Sequence, residues 1–153
     1  VSEPDRSPSV LNRKARFRYH IEESLEAGLV LLGSEVKAIR EGKANLTDAF
    51  VRIKKGEAFL IGCHIGAYSA APSEAHEPVR ERKLLLHRRE LDRLAGKARE
   101  RGYTLVVTKL YFKDGRIKAE LSLGRGKQAH DKRRALRERS QREEVARAMR
   151  RRR

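Results

Sequence analysis

Tyr103-Thr104-Leu105-Val106-Val107-Thr108-Lys109-Leu110-Tyr111-Phe112, the tip Lys113-Asp114-Gly115-Arg116, and Ile117-Lys118-Ala119-Glu120-Leu121-Ser122-Leu123 form the stretch that decides the fold. The first arm is rich in β-branched and aromatic residues, which suit a pleated, half-buried surface. In the second arm Ile117, Ala119, Leu121 and Leu123 alternate with Lys118, Glu120 and Ser122. Period two is the mark of a strand with one face buried and one wet. Asp-Gly between two such runs suits a two-residue type I′ turn, so the stretch reads as a hairpin.

Working outward, Lys55-Gly56 marks a second hairpin with arms over 49–54 and 57–65. A further strand region covers 19–32. Ser34 is positioned to cap a short helix over 35–40, with Glu35 in its first turn and Gly42 at its end. A longer helix is expected over 87–101. Leu91, Leu94, Ala95 and Ala98 recur at helical spacing, and Gly102 stands at its stop. The element list is mainly β with small helices, and it suggests an OB-like antiparallel β-barrel followed by a basic C-terminal tail. Three regions are expected: a polar arm over 1–11, the barrel over 12–124 and the tail over 125–153.

Charge narrows the partners. The 153 residues hold 37 Lys plus Arg against 21 Asp plus Glu, a formal charge of +16. More than half of that lies in 125–153, where thirteen cations face four acids. Such a balance calls for a polyanion. A membrane is the weaker candidate: no run nears the ~20 apolar residues needed to span one, and no secretory leader is visible. A cytoplasmic nucleic-acid binder is the expectation. Arg52, Lys54, Lys109 and Lys118 fall on wet strand positions, and Tyr19, Tyr68 and Tyr111 could stack on bases.

Catalysis finds little support. Asp48, Glu57, Glu120 and Asp131, with His20, His64, His76, His87 and His130, form no local nucleophile or metal pattern. Gly124-Arg125-Gly126-Lys127 lacks the spacing of a phosphate loop. No cofactor is expected. Cys63, alone in an apolar run, reads as a small buried hydrophobe. His64 should face away from the core of Cys63 and Ile65, whereas His76 lies in the polar loop 73–78. A ribosome-resident basic protein and a ribonuclease stand beside a non-catalytic RNA adaptor as readings of composition alone.

The tail has little to bury, so it cannot offset its own ordering entropy. It is nonetheless helix-ready, with Glu138/Arg142 and Glu143/Arg147 at i, i+4. It is expected to be disordered when free and helical in a phosphate-lined channel.

Ordered blocks across 11–153 carry a family resemblance. They include Asn12-Arg13-Lys14-Ala15-Arg16, Glu26-Ala27-Gly28, Gly33-Ser34-Glu35-Val36-Lys37-Ala38-Ile39-Arg40 and Gly42-Lys43-Ala44-Asn45-Leu46. Arg82-Lys83-Leu84-Leu85-Leu86-His87 and Gly126-Lys127-Gln128-Ala129-His130-Asp131-Lys132-Arg133 follow. The chain resembles the SsrA-binding (SmpB) family. The resemblance implies a barrel bound to the tRNA-like domain of tmRNA. It also implies a tail in the empty mRNA path near the small-subunit decoding centre of a stalled ribosome. Alanyl-tRNA synthetase and elongation factor Tu would act on the same RNA. It further implies RNA contacts at Asn12, Glu26 and Leu85, with Lys37 and Arg40 close to that surface, and decoding-centre roles for His130, Asp131, Lys132, Arg133 and Met149; Arg13, Lys14, Asn45 and Lys127 in the matching blocks, and Lys118 on its wet strand face, are expected RNA contacts beside them. Gln128 replaces a lysine common in the family, and Ala148-Met149 replaces a bulkier apolar pair.

Overall fold

A computed structural model describes residues 9–71, 76–100, 102–126 and 129–151; side chains at 129–136, 138 and 151 lie outside the description. The decisive hairpin is present. Strands β8 (Tyr103–Lys113) and β9 (Arg116–Gly126) pair antiparallel, with Lys113 opposite Arg116. Asp114 and Gly115 at the tip have φ of 53° and 76°. That left-handed pair matches the right-handed twist of the flanking strands. Lys55 and Gly56 repeat the device, with φ of 50° and 74°, between β4 (Phe50–Lys54) and β5 (Glu57–Ile61).

The remaining elements in chain order are β1 (Val10–Leu11), α1 (Ala15–Arg18), β2 (Tyr19–Leu29), α2 (Gly33–Arg40) and β3 (Ala44–Asn45). After β4 and β5 come β6 (His64–Ile65), β7 (Arg82–Leu85) and α3 (Arg88–Ala98), and α4 (Ala129–Arg151) follows β9. Seven strands form one antiparallel sheet in the order β1-β8-β9-β2-β7-β5-β4, and β3 pairs with β6 separately. The sheet curls until β4 lies against β8. The expected barrel therefore takes the form of a curled sheet. Among the described residues its two margins, β1 and β4, are not joined by a hydrogen-bonded ladder. Those margins have two and five residues, too few to wrap the circumference with a continuous ladder.

The concave face holds the core. Ala27, Ala119 and Leu110 share one rung, and Leu25, Leu121 and Val107 another. Leu60, Val107, Leu110 and Ala119 are fully buried. Each such aliphatic removed from water contributes roughly 1.5–3 kcal/mol, less for Ala. Helix α3 adds Leu91 and Leu94 to this core, with Ala95 and Ala98 half-buried beside them. Cys63 and Ile65 are buried and His64 is exposed, as the alternation implied.

Four sequence expectations change. Ser34 is not the cap of α2. Leu32 is, and its N–H donates to the Glu35 carboxylate at 2.8 Å. Ser34 instead pairs with His76 Nδ1 at 3.0 Å, and His76 Nε2–H donates to the Ile65 carbonyl at 2.8 Å. His76 is thus a buried clasp and not a loop residue in solvent. Ser122 is buried as well, bonded to Ser24 and Thr108 at 2.8 and 3.1 Å. A bulge at Thr108 breaks the alternation of β8, so Leu105 and Val107 face the core before it, and Leu110 and Phe112 after it. In the tail, Glu143 pairs with Arg139 at 3.2 Å, one turn before it, where Arg147 had been expected.

Candidate nucleic-acid interface

The convex face of the sheet assembles the most chemistry. Register puts Tyr111, Lys118, Gly28 and Leu85 on one row, and Lys109, Glu120 and Glu26 on the next. Leu11, opposite Lys109, extends the second row at the β1 margin. Leu85 is half exposed, which is unusual for a large aliphatic on a sheet. It lies over Gly28, where even a Cβ would come within 3.2 Å of the Leu85 Cβ. Glycine therefore lets the leucine cross the neighbouring strand. Leu85, Gly28 and Lys118 line a groove of about 310 Å³ that continues to Val36 on α2 and to Arg116 at the hairpin tip.

Glu26 is held firmly on this face. The Tyr111 hydroxyl donates to its Oε1 at 2.6 Å, and Lys113 Nζ donates to Oε2 at 3.3 Å. The tyrosine bond, with Lys113 and the nearby Lys118, keeps the carboxyl ionised below its ordinary range. Partial burial, then the same carboxylate, push the Tyr111 phenol upward. Lys109 sits 5.3 Å from the Tyr111 ring centroid. The result is a carboxylate compensated by its own cations, with lone pairs fixed in direction. Such a group can accept from base amino groups or ribose hydroxyls without presenting a bare negative charge to phosphate.

The face is built on a buried ion cluster behind it. Arg82, on the strand that bears Leu85, is fully buried. Its Nε pairs with Glu35, and its Nη1 donates to the Cys63 carbonyl at 2.7 Å. Nη2 reaches the carbonyls of Pro78 and Glu77 at 3.1 and 3.4 Å. Arg80 supplies Glu35 with a second guanidinium at 2.5 Å. Burial alone would raise the Glu35 pKa; Arg80, the Leu32 N–H and Arg82 outweigh it and lower the value. This cluster ties α2 to β7 and to the 62–81 connection. The Cys63 thiol beside it is pushed up to about 11, by burial first, with Glu35 adding to the rise.

Of the residues expected at an RNA surface, Glu26, Leu85 and Lys118 come together. Lys37 and Arg40 are exposed on α2, which adjoins the groove through Val36. Lys37 lies 5.4 Å from the Tyr68 ring centroid, and Arg40 4.2 Å from that of Phe112. Arg13 and Lys14 stand exposed just before α1. Asn12 is buried: its Nδ2 donates to the carbonyls of Leu46 and Val107, each at 3.0 Å. Asn45 is exposed on β3 and accepts the Thr47 N–H at 2.8 Å, an Asx-type turn. Lys127 falls outside the described residues. His130, Asp131, Lys132 and Arg133 are placed only by their backbone in α4, and Met149 is exposed on that helix. Tyr19 is half-buried, with its Cβ against Gly124. Sequence reasoning passed over Lys113 and Arg116. Their signal was the pair of cations flanking the Asp-Gly tip.

Among the described residues no cluster of His, Cys, Asp or Glu could hold a metal ion, and no helix is long and apolar enough to cross a membrane.

Comparison with known proteins gives one answer. The family described as SmpB protein matches residues 9–151. The chain is 55% identical to an SsrA-binding protein of Thermosynechococcus vestitus, over 90% of this chain and 91% of that one. It is 56% identical to one of Acidothermus cellulolyticus, over 90% and 87%. A chain solved in "tmRNA-SmpB: a journey to the center of the bacterial ribosome" is 44% identical. It superposes with a TM-score of 0.70 over 85% of this chain and 95% of that one. With the family match spanning nearly every described residue, and relatives above half identity at almost full length, the chain belongs to the SmpB, or SsrA-binding, protein family.

Proposed function

We propose that this chain is a non-catalytic adaptor that binds the tRNA-like domain of tmRNA and brings it to stalled ribosomes for trans-translation. The observation that carries the reading is the convex row of Leu85, Gly28 and Lys118 beside the clamped Glu26, in a chain whose relatives are SsrA-binding proteins. An exposed leucine, fixed acceptors and surrounding lysines suit a folded RNA, which offers sugar edges and unstacked bases as well as phosphate. Lys37 and Arg40 border that surface, and Arg13 and Lys14 extend it. Asn12 acts by shaping the strand that leads into it.

The body, within 12–124 and of OB type, and the tail, 125–153, divide the labour in this reading. The tail takes the form of α4 in the empty mRNA path, with His130, Asp131, Lys132 and Arg133 near the decoding centre and Met149 on its last turns. Twenty-three helical residues reach about 35 Å. The sparse apolar content of α4 supports a free tail that lacks this helix without a partner. Alanyl-tRNA synthetase and elongation factor Tu meet the protein through the RNA, and the work takes place in the cytoplasm.

Deleting 131–153 tests the division. Binding to the isolated tRNA-like RNA should persist while rescue of ribosomes stalled without a codon is lost. Loss of RNA binding in that truncation refutes the separation of roles. RNA cleavage by the pure protein, abolished in His64→Ala or Glu120→Ala, would overturn the adaptor reading altogether.

A further inference from the structure

One acid on the convex face is still without a role. Glu120 stands in its row between Glu26 and Lys109. Like charges directly opposite each other destabilise a sheet. Among the described residues Glu26 is compensated by Tyr111 and Lys113, whereas Glu120 makes no ion pair. A hydroxyl holds it instead. The bulge in β8 brings Thr108 onto this face, and Thr108 Oγ1–H donates to Glu120 Oε1 at 2.8 Å. Thr108 Oγ1 also lies 3.1 Å from Ser122 Oγ, which lies 2.8 Å from Ser24 Oγ. Each hydroxyl has one hydrogen, and a carboxylate only accepts. Thr108 therefore gives its hydrogen to Glu120, Ser122 gives its own to Thr108, and Ser24 gives its own to Ser122. The relay has a direction. Thr108 and Ser122 are buried within it, and its ends, Ser24 and Glu120, reach the surface. Both ends are acceptors, Ser24 through its lone pairs and Glu120 through Oε2.

The sugar and phosphate of DNA offer no hydrogen to such a strip. The 2′-hydroxyl of ribose does, and it is the group by which a protein tells RNA from DNA. Lys109 and Lys118 flank the strip in the register, so phosphates have partners beside it. We infer that Glu120 makes this face demand RNA: its Oε2 accepts a ribose 2′-hydroxyl, and Thr108 is the positioning residue that aims it. The inference rests on the convex face being the seat of the tRNA-like RNA. It adds a sugar-specific contact that neither the lysines nor the Leu85 groove supplies.

The test uses the full chain and folded tRNA-like RNA carrying single 2′-deoxy substitutions, in filter binding. In the parent chain one or two deoxy positions should each weaken binding about tenfold or more, as for a hydrogen bond to a charged group. Glu120→Gln keeps an acceptor for Thr108 and turns an amide donor outward. It should weaken the all-ribose RNA by a like factor and erase the deoxy penalty at those positions. The sign is decisive, because removing a negative charge would by charge alone tighten binding to a polyanion. Thr108→Val, which frees the carboxylate, should shrink the penalty to about threefold, and Thr108→Ser should restore it. A purely structural loss would show in thermal melts and leave the deoxy penalty as it was. Tighter binding by Glu120→Gln overturns the inference. So does a penalty of equal size in parent and variant. So does sensitivity to base analogues lacking an amino group while every deoxy position stays neutral. A parent chain that ignores the folded RNA sinks the reading beneath this one. A parent that binds it with no deoxy position coupled to Glu120 refutes this inference alone.

Discussion

Replacing Arg82 by Met removes the centre of the buried ion cluster while keeping most of its volume. Four acceptors lose a partner, among them Glu35 and the carbonyls of Cys63 and Pro78. Glu35, fully buried, keeps Arg80 and the Leu32 N–H but loses its nearest guanidinium. The Cys63 carbonyl loses a 2.7 Å donor. The Pro78 carbonyl fares better, because it still accepts the Ile65 N–H at 2.9 Å. Breaking one side of a buried charge pair costs about 3–5 kcal/mol, since the other charge stays behind without compensation. In a chain of this size each kcal/mol moves the melting midpoint by about 2–4 °C, so a fall of roughly 10 °C is expected. Urea titration followed by circular dichroism at neutral pH measures it directly. The pH dependence supplies a second readout. Glu35 has a folded pKa below its ordinary 4.5, so its contribution is present above that value and fades as pH falls through the folded one. Glu35→Gln should flatten that part of the acid limb. In a cycle with Arg82→Met, the two costs should combine to well under their sum. A loss below about 1 kcal/mol for Arg82→Met, or strict additivity in the cycle, refutes the claim that this cluster holds β7 in place.

Three further outcomes are expected. Gly124→Ala should destabilise by about 1–3 kcal/mol, because its Cβ would lie 2.8 Å from that of Tyr19; a neutral effect in thermal melts would contradict the packing. Tyr111→Phe removes the hydroxyl that orients Glu26. It should weaken binding of tRNA-like RNA by about three- to tenfold, the net worth of one ordinary hydrogen bond, with little change in stability. Filter binding decides this, and an unchanged affinity argues against an oriented carboxylate. Cys63 should resist a thiol reagent at pH 8 in the native chain and react fully in denaturant, given its burial and a pKa raised to about 11.

Local chemistry made much of this legible. Asp114-Gly115 and Lys55-Gly56 demanded turns that only left-handed backbone provides, and both hairpins lie where those pairs stand. Leu91 and Leu94 oriented α3 by spacing alone. Long-range satisfaction was not legible. Nothing local distinguishes Arg82, fully buried, from Lys83 beside it, half-exposed, because the partner that admits Arg82 lies 47 residues earlier. Ser34 looked like a cap because Ser often is one. Its hydroxyl found His76 across the fold, and the backbone at Leu32 received Glu35 instead. The bulge at Thr108 left a trace: apolar residues at 105 and 107 give way to 110 and 112, a change of parity within one strand. As for the interface, the resemblance supplied Glu26 and Leu85, and strand alternation Lys118, as separate positions, and only the register showed that three strands make them neighbours.

Asn12 has a consequence for mechanics. Where the sheet leaves its two margins unladdered, one carboxamide acts as a stitch, joining the segment before β4 to β8. Its two amide hydrogens are committed to opposite lips of that seam. Aspartate, of nearly the same shape, would point an acceptor at two acceptors and pry the lips apart. Damage to this hidden thread would show itself as a change in the curvature of the sheet, and so in the convex face that the sheet presents.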